Sequence, residues 1–234
     1  ITVQLNSPFS WLSSGIHAVN MNHAPSRVYI SDVNIHDKVG RGILVGGFHM
    51  LIQNSRFENM TASAIASIIS SYFNESTGAS DIAIRNNTIV GTNSVAKLYQ
   101  TSVDGTNYYP ARNASIAMFA DISSTYNGMW NEVTGIYPSF QDIEISGNTI
   151  QSAAGTGIYL TGTRNDHIDN DQFTGCAAVP DADPIYSYFG SESRSALVLS
   201  FADNVLATGD VASGNPICTA RTDSVSSRNV VVGQ

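Results

Sequence analysis

One short pattern of apolar and polar positions returns along the chain. A large aliphatic residue is followed two positions later by Asp, Asn or Gly, and five positions later by a second large apolar residue. It reads Ile30-Ser31-Asp32-Val33-Asn34-Ile35, Ile52-Gln53-Asn54-Ser55-Arg56-Phe57, Ile84-Arg85-Asn86-Asn87-Thr88-Ile89, Ile145-Ser146-Gly147-Asn148-Thr149-Ile150 and Ile168-Asp169-Asn170-Asp171-Gln172-Phe173. The leading residues are 22, 32, 61 and 23 positions apart, so the shortest intervals agree and the longer ones are the same interval carrying insertions. A period near 22 residues is the mark of a solenoid.

The alternation around each phrase has the period of a strand, not of a helix. Asp, Asn and Gly at the third position enter the left-handed backbone at least cost, which predicts a sharp corner there. A second apolar phrase precedes each of the first: Gly15-Ile16-His17-Ala18-Val19, Gly42-Ile43-Leu44-Val45, Ala64-Ile65-Ala66-Ser67-Ile68, Ser115-Ile116-Ala117-Met118-Phe119 and Gly157-Ile158-Tyr159-Leu160. Together they predict strand, turn, strand, bend and short strand, one coil of a parallel β-helix. Ala196-Leu197-Val198-Leu199 and Asn229-Val230-Val231-Val232 continue or close the stack. The expected fold is all-β: one parallel β-helix domain over residues 1–234, a solenoid with long loop insertions. Rows of Ile, Val, Leu and Phe become dry only when neighbouring coils lie on them. Asn54, Asn86, Asn87, Asn148 and Asn170 are expected to form a structural ladder of side-chain hydrogen bonds.

Charge and composition narrow the function. The chain has 234 residues, 42% hydrophobic and 13% charged, with a net charge of -8 and no run of Lys or Arg. Nucleic acid is therefore an unsuitable partner, because its phosphates need basic neutralisation. No apolar stretch approaches a membrane span. Cys176 and Cys218 flank a turn-rich segment and are expected to form a disulfide closing the end of the solenoid, two buried thiols being the alternative. Sequons begin at Asn59, Asn74, Asn86 and Asn113. Asn86 falls on a corner, which leaves Asn59, Asn74 and Asn113 as glycosylation candidates, although a chain rich in Asn, Ser and Thr also forms sequons by chance. The pattern suits a secreted, extracellular glycoprotein. The chain begins at Ile1 without a methionine, as expected of the later part of a longer or processed protein.

Insertions at residues 70–80, 90–112, 120–140 and 176–194 hold most of the aromatics. Aromatic faces stack on sugar rings, and neighbouring hydroxyl and amide groups reach sugar hydroxyls. Tyr108, Tyr109 and Trp130 are the leading candidates, the alternative being that they pack the loops onto the solenoid. On the first strand of each coil the outward row reads His17, Leu44, Ala66, Ala117, Tyr159 and Val198, from which His17 and Tyr159 are candidate substrate-binding residues. Glycoside hydrolysis needs two carboxylates across the scissile bond. Asp121, Glu132 and Asp37 are the candidate catalytic acids, the first two because they flank the Trp130 insertion and the third because it adjoins His36. The run Asp166-His167-Ile168-Asp169-Asn170-Asp171 is rich in oxygen ligands and suits Ca²⁺, without reproducing a known ligand spacing. No other cofactor is expected.

Gly40-Arg41-Gly42-Ile43-Leu44, then Ile52 to Asn59, Ala64-Ile65 and Asp81 to Ile89, resembles the right-handed parallel β-helix of carbohydrate-active enzymes. With Phe140 to Ile150 downstream, the order of phrases over residues 27–175 is similar to the later coils of glycoside hydrolase family 110. The resemblance implies exo-acting α-galactosidase chemistry that inverts the anomeric centre. That family's catalytic aspartates, including an adjacent pair, precede the Arg-Gly phrase, and this chain has no Asp-Asp dipeptide. No catalytic residue is carried over. The expected activity is cleavage of an oligo- or polysaccharide by paired carboxylates. The alternatives are a polysaccharide lyase, a non-catalytic glycan-binding or adhesive β-helix, and a structural solenoid.

Overall fold

The computed structural model describes residues 24–70, 78–94, 114–121, 140–176, 195–213, 219–222 and 227–233. Their strands run parallel and stack into three faces. Sheet A holds β3 (Ile43–Leu44), β6 (Ile65–Ser70), β9 (Ile116–Asp121), β12 (Ile158–Arg164), the first half of β15 (Ser195–Thr208) and β17 (Thr219–Thr222). Sheet B holds β1 (Ser26–Ser31), β4 (Gly47–Gln53), β7 (Ala79–Arg85), β10 (Phe140–Ser146), β13 (His167–Asp169), the second half of β15 and β18 (Arg228–Val232). Sheet C holds β2 (Asn34–Lys38), β5 (Arg56–Met60), β8 (Thr88–Val90), β11 (Thr149–Gln151), β14 (Gln172–Thr174) and β16 (Val211–Ser213). Each coil runs A, B, C. Because β15 continues unbroken from A to B, those two faces form one twelve-stranded sheet, with C a separate sheet of six. This is the parallel β-helix that the repeat predicts.

The repeated phrase straddles the corner between B and C. Its leading Ile closes sheet B, and Ile30, Ile52, Ile84, Ile145, Ile168 and Ala207 stand in register as one inward column. Its last residue lies on sheet C, where Ile35, Phe57, Ile89, Ile150, Phe173 and Ala212 make the facing column. From Phe57 to Ala207 these side chains belong to one buried core that no single coil could close. Every third-position residue, Asp32, Asn54, Asn86, Gly147 and Asn170, has positive φ, between 51° and 65°. A second left-handed column, Arg27, His49, Asp81, Asp142, Asn165, Asn204 and Asn229, bends the chain as it enters sheet B.

The B-to-C corner has two residues in each of the six coils described and takes no insertion. Its second residue builds the buried ladder. Asn87 Oδ1 accepts the Ser55 N–H at 3.0 Å, Asn148 Oδ1 accepts the Asn87 N–H at 3.0 Å, and Asp171 Oδ1 accepts the Asn148 N–H at 2.6 Å. Asp210 Oδ1 accepts the Asp171 N–H at 2.8 Å. Asn54, Asn86 and Asn170, expected in the same ladder, are instead the exposed corner residues one position earlier. A left-handed corner residue points its side chain away from the stack, and the residue after it points in.

Sheet A departs from the expected half-exposed face. Leu44, Ala66, Ala117, Tyr159 and Val198 do stand in register as its outward row. From Ala66 to Val198, however, the row is closed from solvent, forming with Ile68, Ala114 and Phe119 a second apolar cluster outside the main core. Long insertions leave the coils at the two borders of this sheet, between β6 and β7, β8 and β9, β9 and β10, and β14 and β15. Gly157, at the entry to β12, marks how closely the coils are packed. A Cβ there would stand 2.7 Å from a ring carbon of Phe173 and 2.8 Å from the Ala196 carbonyl oxygen. Gly157→Ala is expected to cost about 1–3 kcal/mol through overpacking, read as a lower denaturant midpoint with an unchanged slope.

Candidate functional site

With sheet A closed on both sides from Ala66 to Val198, the open face with the densest chemistry among the described residues is the outer side of sheet B. Alternation places Ile inward and polar residues outward. One outward row reads Tyr29, Leu51, Ala83, Glu144, His167 and Leu206, and the next reads Ser31, Gln53, Arg85, Ser146, Asp169 and Thr208. Residues far apart in sequence thus become neighbours one strand spacing apart, about 4.8 Å.

Two groups of side chains occupy this face. At the first coils, an open trough of about 400 Å³ is lined by Arg27, Tyr29, His49, Leu51, Asp81, Ala83 and Arg85 among others. Tyr29 is 62% exposed, and its hydroxyl accepts a hydrogen bond from Gln53 Nε2 at 2.7 Å, which fixes the ring on the sheet. His49 Nδ1 pairs with Asp81 Oδ2 across adjacent strands. One coil further, Arg85 Nε donates to Glu144 Oε1 at 2.6 Å while its terminal nitrogen pairs with Oε2, a two-pronged clamp. Ser146 Oγ donates to Glu144 Oε1 at 3.0 Å, and His167 Nδ1 stands 3.7 Å from Asp169 Oδ1. The bond from Arg85, with a smaller contribution from Ser146, holds the Glu144 carboxyl below its ordinary range, and the Arg85 guanidinium is raised in return. Glu144 is therefore a carboxylate over the working pH range, able to accept hydrogen bonds or a proton but not to donate one.

Of the residues expected from sequence to form the site, three lie among the described residues, Asp37, Asp121 and Tyr159. Asp37 is the penultimate residue of β2 on sheet C, exposed, with φ of 52°. Its carboxyl accepts from Asn59 Nδ2 at 2.9 Å and pairs with His36 Nδ1 at 2.9 Å, and these bonds, Asn59 first, keep it ionised to lower pH than usual. Asp121 ends β9 on sheet A, another face and three coils away. Tyr159 is corrected from a substrate contact to a packing residue: it is 1% exposed, its ring centroid 6.0 Å from that of Phe119. His17, Tyr108, Tyr109, Trp130 and Glu132 lie outside the described residues, as do Asn74 and Asn113. Asn59 is exposed on its corner.

Cys176 is buried, its Sγ 3.8 Å from the Ile150 carbonyl, and Cys218 lies outside the described residues. The acidic run at 166–171 is divided by the strand it forms. Asp166 and Asp171 turn inward, while His167 and Asp169 face out. Among the described residues no three His, Cys, Asp or Glu side chains converge on a metal position. No described helix is long and apolar enough to cross a membrane.

Sequence reasoning passed over Tyr29, His49, Arg85 and Glu144. The signal was present for Arg85 and Asp169, which occupy the same position of the repeated phrase. Aligning the phrases as rungs places them in one column.

No curated protein matches the chain in sequence. Among solved structures, a candidate glycosyl hydrolase from Parabacteroides merdae is similar at 16% identity, with a TM-score of 0.48 over 86% of this chain and 80% of that one. The family described as the right handed beta helix region matches residues 14–179, which cover coils from before β1 to beyond β14. The chain belongs to that right-handed β-helix family.

Proposed function

We propose that the protein recognises an extended oligosaccharide laid along the outer face of sheet B. The observation that carries this reading is Tyr29. Its exposed ring is held by Gln53 beside a trough whose walls alternate cation, imidazole and carboxylate. An aromatic face offers a platform for the apolar side of a sugar ring, and the polar groups around it match ring hydroxyls. The stack repeats these groups at intervals that suit a chain of residues rather than one compact ligand.

Cleavage of that glycan is the second reading, and the pairing of Glu144 with Asp169 favours it. The two stand diagonally on adjacent strands of one open face, two register positions apart, and glycoside hydrolysis needs two carboxyl groups across the scissile bond. Glu144, ionised by Arg85, suits the base. Asp169 is the candidate second carboxyl group. The resemblance to inverting α-galactosidases adds galactosides to the substrates worth testing, and a secreted setting suits both readings.

The test is calorimetric titration with a panel of galactosides and of plant and microbial oligosaccharides, with product detection. Binding is expected, and Tyr29→Ala is expected to weaken it by about tenfold, in keeping with the roughly 1–2 kcal/mol carried by an aromatic contact at a binding site. Failure of every glycan to bind would overturn the reading. Product release abolished by Glu144→Gln would establish hydrolysis, and unsaturated products absorbing in the near ultraviolet would point to a lyase.

A further inference from the structure

The buried ladder changes its chemistry along the stack. Its rungs are Ser55, Asn87, Asn148, Asp171 and Asp210, so two amides are succeeded by two acids. In the amide rungs each side chain does two things. Oδ1 accepts the backbone N–H of the preceding rung, and Nδ2 donates to the carbonyl of the Ile three residues before that rung. Asn87 Nδ2 donates to the Ile52 carbonyl at 3.1 Å, and Asn148 Nδ2 to the Ile84 carbonyl at 3.0 Å.

The acid rungs reproduce the first contact. Asp171 Oδ1 accepts from Asn148, and Asp210 Oδ1 accepts from Asp171. The atoms left over, Asp171 Oδ2 and Asp210 Oδ2, are buried and have no partner. By the register of the ladder they occupy the place of the amide nitrogens, with the carbonyls of Ile145 and Ile168 as the equivalent acceptors. A carboxylate oxygen facing a carbonyl oxygen is repulsive. A carboxylic acid there is a donor like the amide it replaces.

We propose that Asp171 and Asp210 each carry a proton in the folded protein, donating through Oδ2 to the Ile145 and Ile168 carbonyls, so that docking of the last coils is controlled by pH. Deprotonation removes two donors and places charge inside the stack, which loosens the second half of β15 and β16 from the coils before them. The surroundings favour the neutral form. Burial is the main cause that raises both carboxyls, Asp171 to about 7. Asp169 and Asp210 act on Asp171 in the same sense. Around Asp210, Asp169 adds to the effect and His167 opposes it. The N–H and Nδ2 of Asn148, the rung below, oppose burial through their bonds to Asp171 Oδ1, as the Asp171 N–H does at Asp210.

Asp171→Asn and Asp210→Asn test this in the full chain, since Asn already fills the position in two earlier coils. The unfolding equilibrium constants of wild type and each variant are compared from pH 5 to 9. For Asp171→Asn the wild-type to variant ratio is expected to climb by up to tenfold per pH unit towards pH 7 and then level off, with the variant the more stable at pH 8. A ratio that does not change with pH would overturn the proposal. Carbon-13 NMR of the side-chain carboxyls gives a readout that needs no variant to fold. Asp171 is expected to titrate near neutrality and Asp210 above the ordinary carboxylate range, and complete ionisation of both below pH 5 would refute the inference.

Discussion

Asn148→Ala is expected to be among the most damaging single substitutions in the chain. The Asn148 side chain is fully buried and serves three coils at once. It accepts from Asn87 N–H and Asn87 Nδ2, both at 3.0 Å, and donates to the Ile84 carbonyl at 3.0 Å and to Asp171 Oδ1 at 2.9 Å. Truncation strands the Asn87 donors and leaves a void where water has no entry. At about 1–3 kcal/mol for each buried group left unpaired, the loss is expected to reach about 3–5 kcal/mol, a large share of the roughly 5–15 kcal/mol that holds a domain folded. Asn170→Ala is the matched control. It sits at the exposed corner of the next coil with φ of 57°, so its cost is confined to backbone strain of about 1 kcal/mol. Denaturant midpoints of the two variants measure the difference. Equal losses would mean that the corner conformation, and not the amide ladder, holds the coils in register.

Stability is expected to fall as pH rises from about 4 to 8, the reverse of most acid-sensitive proteins. Asp166 lies at the corner between β12 and β13, buried, its Oδ1 accepting the Ile143 N–H at 3.1 Å and its Oδ2 bonded to Thr163 Oγ1. Burial pushes its carboxyl up to about 7 from an ordinary 3.8, against the opposing effect of those hydrogen bonds. Between the two values the unfolded chain has lost the proton that the folded chain keeps. The contribution is therefore complete below the unfolded value and is lost as pH climbs through the folded one. At about 1.4 kcal/mol per pH unit, the full effect of this carboxyl is on the order of 4 kcal/mol. Glu144 and Asp203, lowered chiefly by bonds from Arg85 and Arg228, act oppositely and lose their contribution as pH falls through their folded values. The maximum therefore lies at the acid end, at about pH 4, where the two sets of contributions cross. Asp166→Asn is expected to flatten the alkaline limb in chemical denaturation series. A slope unchanged by that substitution would remove Asp166 as its source.

The fold was legible because the coil repeats its constraints. One inward Ile, one left-handed Asx or Gly and one inward Ile or Phe recur at a period that only stacking explains, and the predicted outward row of sheet A has the register observed. Exposure of that row was misread. The segments Ile65-Ala66-Ser67-Ile68-Ile69 and Ile116-Ala117-Met118-Phe119-Ala120 are apolar at nearly every position, as strands covered on both sides are, whereas β4, β7 and β10 alternate cleanly. The candidate site was harder to see because its members lie at positions 29, 49, 85, 144, 167 and 169, spread over five coils with insertions of different length between them. A search for carboxylates close in sequence finds Asp37 beside His36 but cannot bring Arg85 to Glu144, 59 residues apart. The ladder was legible at Asn87 and Asn148 and missed by one position at Asn54, Asn86 and Asn170, since the exposed and buried residues of the corner are adjacent and Asn occurs at either.

The uninterrupted two-residue corner also bears on how such a molecule gains or loses length. Ser31 and Gln53 occupy equivalent sites in neighbouring layers, and Asp32 and Asn54 share the same backbone turn. The 22 residues from Asp32 to Gln53 are thus a complete period, and excising them joins Ser31 to Asn54 with every later layer shifted by about 4.8 Å. Duplication of the same stretch adds a layer by the same step. Growth and shrinkage of the gene in whole periods therefore preserve the hydrophobic columns, which is how a scaffold of this type can be resized to ligands of different length.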